Sequence, residues 1–422
     1  MIRRTPFSAV TMAAVRPLAA AGIAVAFALA AIPSRAAAQV AVRAETLYTM
    51  AGPAINDGVV LIGRDGKIER VGPASQVRIP DGYRVLTAKV ATPGLVDAHT
   101  VVGLSGYLNQ PHEQDHLDRT NAIQPELRAF DAYNAEEALV RWLREHGVTT
   151  IHTGHGPGAL MSGQTMVVKT RGRTVEEALV DSVTMVAMTL GPEVSANYNG
   201  RPGTRAKGMA LVRAEFIKAR DYAKRRKAAD ESRQPARDLK LEILARVLDG
   251  EIPALITAQR ATEILAALRL HKEFGFRLIL DGAAEAYLVL DEIKAAGIPV
   301  ILHPTMARHT GSLENATFET AVRLRNAGIP FALQSGYEAY VPKTRVVLFE
   351  AAAATTYGLS TEDALAAVTI DAARIIGQDR RVGSLERGKD GDVVLFDGDP
   401  FEFTSHVCGV IIEGQVVSET CR

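Results

Sequence analysis

The segment TPGLVDAHTV, residues 92–101, contains the pattern that decides the fold of this chain. A largely apolar run from Lys89 to Val96 ends at Asp97 and His99, which predicts a buried strand that carries an imidazole at its carboxyl end. In a (β/α)8 barrel, the carboxyl ends of the strands form the functional face. The segment therefore favours a barrel strand with a functional side chain at its tip.

The composition is that of an ordinary globular protein. Of the 422 residues, 47% are hydrophobic and 23% are charged, and this length is sufficient for a barrel and a smaller attached domain. Residues 1–38 contain four arginines and no acidic residue, so the rest of the chain has 44 basic residues (48 minus 4) and 48 acidic residues. Without a basic excess, the chain is not expected to bind nucleic acid.

The N-terminus has the pattern of a secretory signal peptide. Arg3 and Arg4 precede an apolar segment at 17–32, and three alanines follow at 36–38. We therefore expect residues 1–38 to be removed and the protein to be periplasmic or secreted. The apolar segment is too short to predict a permanent membrane span. A twin-arginine export signal is the alternative interpretation of the arginine pair.

The two cysteines of the chain, Cys408 and Cys421, are thirteen positions apart near its C-terminus. In an oxidising compartment, a disulfide that holds the C-terminal tail is one interpretation of this pair. Two unpaired thiols are the other interpretation. Neither cysteine has a Cys or His neighbour at metal-ligand spacing.

Strand and turn signals occupy both ends of the mature chain, and strands alternate with helices between them. A hairpin is indicated around the turn Arg64-Asp65-Gly66, and a helix at 261–274. The strand candidates of the middle region are 147–153, 182–190, 253–258, 277–282, 298–304 and 329–336. We predict a β-domain built from residues 39–90 and 383–422, and a (β/α)8 barrel from residues 91–382.

Several motifs resemble those of the amidohydrolase superfamily, in particular its imidazolonepropionase-like and prolidase-like branch. Besides the segment at 92–99, they are GVVLIGRDGKIERVG from Gly58, PGALMSGQ from Pro157, TIDAARIIG from Thr369 and GSLERGKDGD from Gly383. The resemblance implies a hydrolase of carbon–nitrogen bonds in amides, cyclic amides or N-acylated amino acids. It also implies one or two divalent metals at the strand tips, and an aspartate that accepts a proton from metal-bound water.

Most positions that hold metal ligands in this family are substituted here. His99 matches the first histidine of the family's strand-tip pair, but the second falls on Val101, which has no lone pair to donate. The other positions fall on Ser195 beside Tyr198, on Gln259, on Gly282 or its neighbour Asp281, and on Gly336. With Asp97, these residues are predicted to line a pocket. We expect a degenerate site that holds at most one zinc ion at low occupancy.

Other histidines offer an alternative site. His152, His155 and His303 follow predicted strands, and with His99 they would form a single-metal centre. The other interpretation is that these histidines only form hydrogen bonds or fill space.

Metal-free catalysis is a further alternative. The candidate catalytic residues are Asp281, Ser335 and Tyr337, and Lys343 and Glu285 are also able to act on a substrate. His112 and His116 have the spacing of a helical metal pair, but their acidic neighbours favour a solvated loop.

These patterns lead to two hypotheses about function. The first is an amidohydrolase-like protein with weak or no catalysis, which binds a small amide-like or dipeptide-like ligand or serves as a subunit of a homologous active amidohydrolase. The second is an active hydrolase with a rearranged single-metal site or a metal-free site.

Overall fold

The computed structural model describes residues 39–108, 110–228, 232, 234–303, 309–337 and 347–422. The predicted signal peptide and Lys343 lie outside these ranges. No helix within them is both long enough and apolar enough to cross a membrane.

Strands from both ends of the described chain form one sheet. They are β1 (Val40–Leu47), β2 (Ile55–Ile62), β3 (Ile68–Pro73), β4 (Arg84–Pro93), β13 (Val393–Phe396), β14 (Val407–Ile412) and β15 (Gln415–Ser418). Their order is β15-β14-β13-β4-β1-β2-β3. β4 pairs in parallel with β1 and antiparallel with β13, so the N-terminal and C-terminal strands share hydrogen bonds. This sheet is the small β-domain beside the barrel.

The second sheet is a nearly closed eight-stranded barrel of the TIM type. It consists of β5 (Leu95–Thr100), β6 (Val148–Gly154), β7 (Gly163–Lys169), β8 (Leu179–Thr189), β9 (Ala254–Ala258), β10 (Leu278–Gly282), β11 (Val300–Leu302) and β12 (Phe331–Leu333), paired in chain order. Thr100 bridges to Gly336, next to β12, where the sheet closes. All residues of β5 and β9 are buried, as expected for strands covered on both faces.

One barrel strand runs against the others. β7 is antiparallel to both β6 and β8, whereas the remaining neighbours are parallel. The predicted strands did not include this one. Its direction was also not predictable, because a short apolar run carries no information about strand direction. As a result, residues 155–162 form a hairpin connection at the mouth of the barrel, in place of a helical crossover.

The helices surround the barrel and connect its strands. They are α1 (Ala138–Glu145), α2 (Val175–Ala178), α3 (Glu193–Asn197), α4 (Arg205–Arg226), α5 (Leu239–Leu248), α6 (Ala261–Phe274), α7 (Leu290–Ala296), α8 (Thr320–Ala327), α9 (Val347–Thr356), α10 (Thr361–Ala367) and α11 (Ile370–Ile375). α6 covers the predicted range, and it ends at Gly275, whose φ of 79° suits a helix C-terminus.

A buried ion cluster joins the barrel to the small sheet. Lys169, the last residue of β7, is 1% exposed, and its Nζ lies 3.1 Å from Asp390 and 2.5 Å from Asp392. Lys67 and Arg381 also contact Asp390. The antiparallel direction of β7 brings this lysine to the end of the barrel opposite the mouth, where the small sheet begins.

The C-terminal tail is held by a disulfide between Cys408 and Cys421. The backbone of Arg422 also exchanges two hydrogen bonds with Val407. Of the two interpretations of the cysteine pair, the structure shows the disulfide.

Candidate functional site

His99 forms a buried ion pair with Asp281. Its Nδ1 donates to Asp281 Oδ1 over 2.9 Å, and both side chains are 4% exposed. Thr257 and Gln334 donate to the same carboxylate, at 2.6 and 2.9 Å. β5, β9, β10 and the segment after β12 each supply one of these four residues, so the cluster lies at the strand tips.

The protonation states of the pair follow from two opposed effects. Burial alone would raise the pKa of Asp281, but His99 and the hydrogen bonds outweigh it and lower that pKa below its usual range. Burial would likewise lower the pKa of His99, but the Asp281 carboxylate raises it. The charged pair is therefore favoured over two neutral groups.

Asp97 links the first and last strands of the barrel. Its carboxylate accepts hydrogen bonds from the backbone N–H of Ser335 at 3.0 Å and from the Ser335 hydroxyl. Ser335 Oγ also lies 3.2 Å from Thr100 Oγ1. Burial raises the pKa of Asp97 to about 6, although these hydrogen bonds oppose the shift. In this structure, Asp97 and Ser335 serve to close the barrel.

Both ring nitrogens of His152 are engaged within the barrel. Nδ1 donates to the Ala98 carbonyl at 2.7 Å, and Thr165 Oγ1 donates to Nε2 at 2.7 Å. Burial lowers the pKa of His152 to about 3, with a further contribution from His99. His152 therefore has no ring nitrogen left for a metal in this arrangement. Its ring centroid lies 5.7 Å from that of His99.

Two of the substituted ligand positions contact each other. A Cβ on Gly282, whose φ is +77°, would lie 2.4 Å from Gln259 Nε2, so the glutamine side chain fills the space beside the glycine. Gln259 Oε1 also accepts from the backbone N–H of Ala284 at 3.2 Å. The glutamine oxygen is thus used within the protein.

The remaining predicted positions are distributed around the mouth. Val101 is buried and faces Gly156. Ser195, in α3, donates to the Pro202 carbonyl, and the Tyr198 hydroxyl donates to the Asp118 carbonyl at 2.7 Å. Gly336 donates to the His99 carbonyl at 3.3 Å. These residues therefore support loops and strand contacts.

Two further candidates follow β10 and β11. His303 is buried, and its backbone N–H donates to the Gly282 carbonyl at 2.8 Å. Glu285 accepts from Ala261, the first residue of α6, at 2.7 Å, so its carboxylate caps that helix.

The residues at the family's ligand positions do not fit a metal centre as they stand. Within the described ranges, the one group of three His, Cys, Asp or Glu donors that lie within 4.8 Å of one another is Asp397, Cys408 and Cys421. The two cysteines of that group form the disulfide. His99 keeps Nε2 without a hydrogen-bond partner in the described part of the chain, but a catalytic zinc needs about three protein ligands.

A cavity of about 690 Å³ opens at the mouth, lined among others by His116, Arg119, His155 and Tyr337. His116 and His155 are each 4% exposed, so the expectation of a solvated loop is wrong for His116, although His112 is exposed. His116 is buried because it packs against Tyr337, with ring centroids 4.4 Å apart. Burial lowers the pKa of both histidines to about 4, so both rings are neutral near pH 7.

The sequence indicated His116 and His155 separately, but it did not indicate that they line the same cavity. Gln334 was not predicted as a site residue, although it lies one position before Ser335 at a strand tip. A polar residue at the carboxyl end of a buried strand was the available signal in that case. For His116 no local signal existed, because tertiary contacts bury it.

The fold is thus a TIM-type barrel with polar residues at its strand tips and a β-domain formed by both chain ends. Comparison with known proteins gives the family. A family model described as "Amidohydrolase family" matches residues 344–418. A solved amidohydrolase from Thermotoga maritima MSB8 is 31% identical, with a TM-score of 0.85 over 90% of this chain and 100% of that one. The chain belongs to the amidohydrolase superfamily.

Curated relatives indicate the branch. The imidazolonepropionase of Porphyromonas gingivalis is 26% identical over 402 residues, which cover 86% of this chain and 88% of the relative. The imidazolonepropionase of Rhizorhabdus wittichii is 27% identical over 381 residues, 83% of this chain and 91% of the relative. The chain is thus of the imidazolonepropionase-like branch, as the sequence motifs predicted.

Proposed function

We propose that this protein is an amidohydrolase whose inner ligand positions no longer form a metal centre, and that it binds a small amide-like or dipeptide-like molecule at the barrel mouth with little or no turnover. The observation that carries the proposal is that no group of three His, Cys, Asp or Glu donors surrounds His99 among the described residues, where the group found is Asp397 with the two disulfide-bonded cysteines. His99 matches the first histidine of the family's strand-tip pair and keeps Nε2 for a ligand, but the carboxylate beside it, Asp281, is already hydrogen-bonded by Thr257 and Gln334.

The substitutions also remove the groups that metal-dependent hydrolysis uses. Val101 and Gly336 replace a ligand and the proton-accepting aspartate, and loss of a positioned base alone lowers a rate by roughly 10²- to 10⁴-fold. Asp281 and Ser335 are the nearest polar groups, but both are engaged in buried hydrogen bonds. These hydrogen bonds favour the binding of a ligand over its hydrolysis.

The mouth cavity has the chemistry to bind an amide. Its neutral imidazoles, His116 and His155, each offer one donor and one acceptor, which matches the N–H and C=O of an amide. Tyr337 adds an aromatic surface, and Arg119 adds a positive charge. We propose this cavity as the ligand site.

We also propose that the protein is exported and that it associates with a homologous active amidohydrolase. The pattern of residues 1–38 and a disulfide near the C-terminus support export. The proposed association follows from the substituted ligand positions, because a subunit without its own metal centre acts through an active partner. Fractionation of the source cells, with the exported and cytosolic fractions probed separately, tests the first part. Purification from those cells, followed by identification of any co-eluting barrel protein, tests the second.

An active hydrolase with a rearranged single-metal or metal-free site is the second candidate function. One observation favours it: both nitrogens of His155 lack a hydrogen-bond partner in the described part of the chain. Against it, His152 has both nitrogens engaged.

The two functions are separated by a hydrolysis screen of N-acetyl amino acids, dipeptides and cyclic amides, with and without EDTA. The test variant is His99→Gln, because a glutamine amide can still donate to Asp281, and the control is His112→Ala on the exposed loop. We expect any hydrolysis to be slow, insensitive to EDTA and unchanged in His99→Gln. Hydrolysis that EDTA abolishes, and that disappears together with a bound metal in a folded His99→Gln protein, would overturn the proposal.

A further inference from the structure

Two buried histidines at the mouth have four ring nitrogens without hydrogen-bond partners in the described part of the chain. They belong to His116 and His155, and both rings line the mouth cavity. Leaving a buried polar atom unsatisfied is unfavourable, because the atom has lost its hydrogen bonds to water and gained none in the protein. Two such rings on the wall of one cavity give a physical reason for a ligand to bind there.

Backbone contacts join the two segments that carry these rings. Gly156 donates to the His116 carbonyl at 2.9 Å, which joins the mouth loop to the β6–β7 connection. A Cβ on Gly156 would lie 3.4 Å from His116 Cδ2, and one on Gly163 would lie 2.3 Å from His155 Cδ2. Tyr337 covers the other side of His116. Both rings are thus held by packing on the walls of the cavity.

The chemistry of the pair is that of a transition-metal ligand set. Neutral imidazole is a good ligand for zinc, copper and nickel, and each ring here has a lone pair to donate. Asp118 is the adjacent carboxylate: its Oδ1 accepts from Thr120 and Gln124, while its side chain is exposed at the cavity rim. It supplies negative charge and an oxygen donor beside His155.

We propose that His116 and His155 bind one divalent transition-metal ion at the barrel mouth, outside the family's ligand positions, with Asp118 as the third protein donor. The three side chains are not among the groups whose donor atoms already lie within 4.8 Å of one another. Binding therefore requires the exposed Asp118 side chain to turn toward the two rings. The inference goes beyond the proposed function, because it assigns a metal ion to the two histidines of the cavity in which an amide-like molecule is proposed to bind.

The experiment is a metal titration of untagged protein that has been stripped with a chelator and then freed of it. Zn²⁺ is followed by calorimetry, and Co²⁺ by its visible absorption, which reports coordination number. We expect one ion per chain, with Cu²⁺ bound more tightly than Ni²⁺ or Zn²⁺. His116→Ala and His155→Ala should each weaken Zn²⁺ binding at least tenfold, and Asp118→Asn should weaken it less.

Two matched controls locate the ion. His112→Ala, four residues before His116 on the exposed part of the loop, should bind Zn²⁺ as the wild type does, and so should His99→Gln. Circular dichroism verifies folding, and His155→Asn provides a smaller change if His155→Ala is unfolded. The absence of stoichiometric binding, or binding that survives in both folded histidine variants, overturns the inference and leaves the proposed function intact. Loss of Zn²⁺ binding in His99→Gln, with binding retained in the two mouth-histidine variants, overturns both the inference and the proposed function.

Discussion

Replacing Lys169 by methionine should destabilise the protein strongly, because it leaves two buried carboxylates without their shared cation. Asp390 and Asp392 are 2% and 3% exposed, and Lys169 is 1% exposed. Breaking a buried ion pair by removing one partner costs about 3–5 kcal/mol. Asp390 keeps Lys67 and Arg381, so we expect a loss near the lower limit, about 3 kcal/mol.

Urea unfolding at pH 7 measures this loss. The matched control is Lys227→Met, which removes a lysine from an exposed pair with Asp249, where the side chains are 73% and 58% exposed; that change should cost less than about 1 kcal/mol. Adding Asp392→Asn to Lys169→Met should restore part of the lost stability, because one uncompensated charge is then gone. A Lys169→Met protein within 1 kcal/mol of the wild type, or no recovery in the double variant, would refute this reasoning.

Three further predictions concern the pH dependence, the mouth and the tail. The pKa of Asp97 is raised from 3.8 to about 6 in the folded protein, so its contribution to stability is complete below pH 4 and is lost as the pH rises through 6. The difference of about 2 units corresponds to about 3 kcal/mol, and Asp97→Asn, followed by urea unfolding between pH 4 and 8, should lack this decline; a parallel decline in the variant would contradict the assignment. Gly163→Ala should displace His155, since the added Cβ would lie 2.3 Å from its ring at a φ of +143°, and the unfolding free energy should fall by about 1–3 kcal/mol; an unchanged value would show that the ring moves freely. Reduction of the Cys408–Cys421 disulfide, which spans thirteen positions, should lower stability by about 3 kcal/mol, as measured by thermal unfolding with and without reductant; Cys408→Ser/Cys421→Ser should then be insensitive to the reductant, and a wild type equally insensitive would refute the estimate.

The elements with strong local signals were predictable from the sequence. α6 has a helical pattern that ends at Gly275, and the structure gives it the predicted bounds. The barrel strands at 254–258 and 278–282 fall within predicted apolar runs, since strands covered on both faces are continuously hydrophobic. The antiparallel direction of β7 was not predictable in this way, because the burial of a strand does not depend on its direction.

The candidate site was predictable only in part. The motif around His99 located the strand tip and the substituted positions, because motifs are local in sequence. The ion pair between His99 and Asp281 joins residues 182 positions apart, and the contact between His116 and Tyr337 joins distant loops. A local sequence pattern therefore cannot predict either contact. The polar residues around His116 indicated a solvent-exposed loop, whereas the packing of two loops buries the His116 side chain.

The reversed strand β7 connects two parts of the molecule that have different roles. Its first residue, Gly163, leaves no room for a Cβ beside His155 at the mouth, and its last residue, Lys169, binds the carboxylates next to the small sheet at the opposite end. Inserting or deleting one residue in this strand would exchange its inward and outward faces and misplace one end or the other. Evolution can therefore alter this wall of the barrel by substitution, but a change of its length would disturb the mouth cavity and the attachment of the small sheet at the same time.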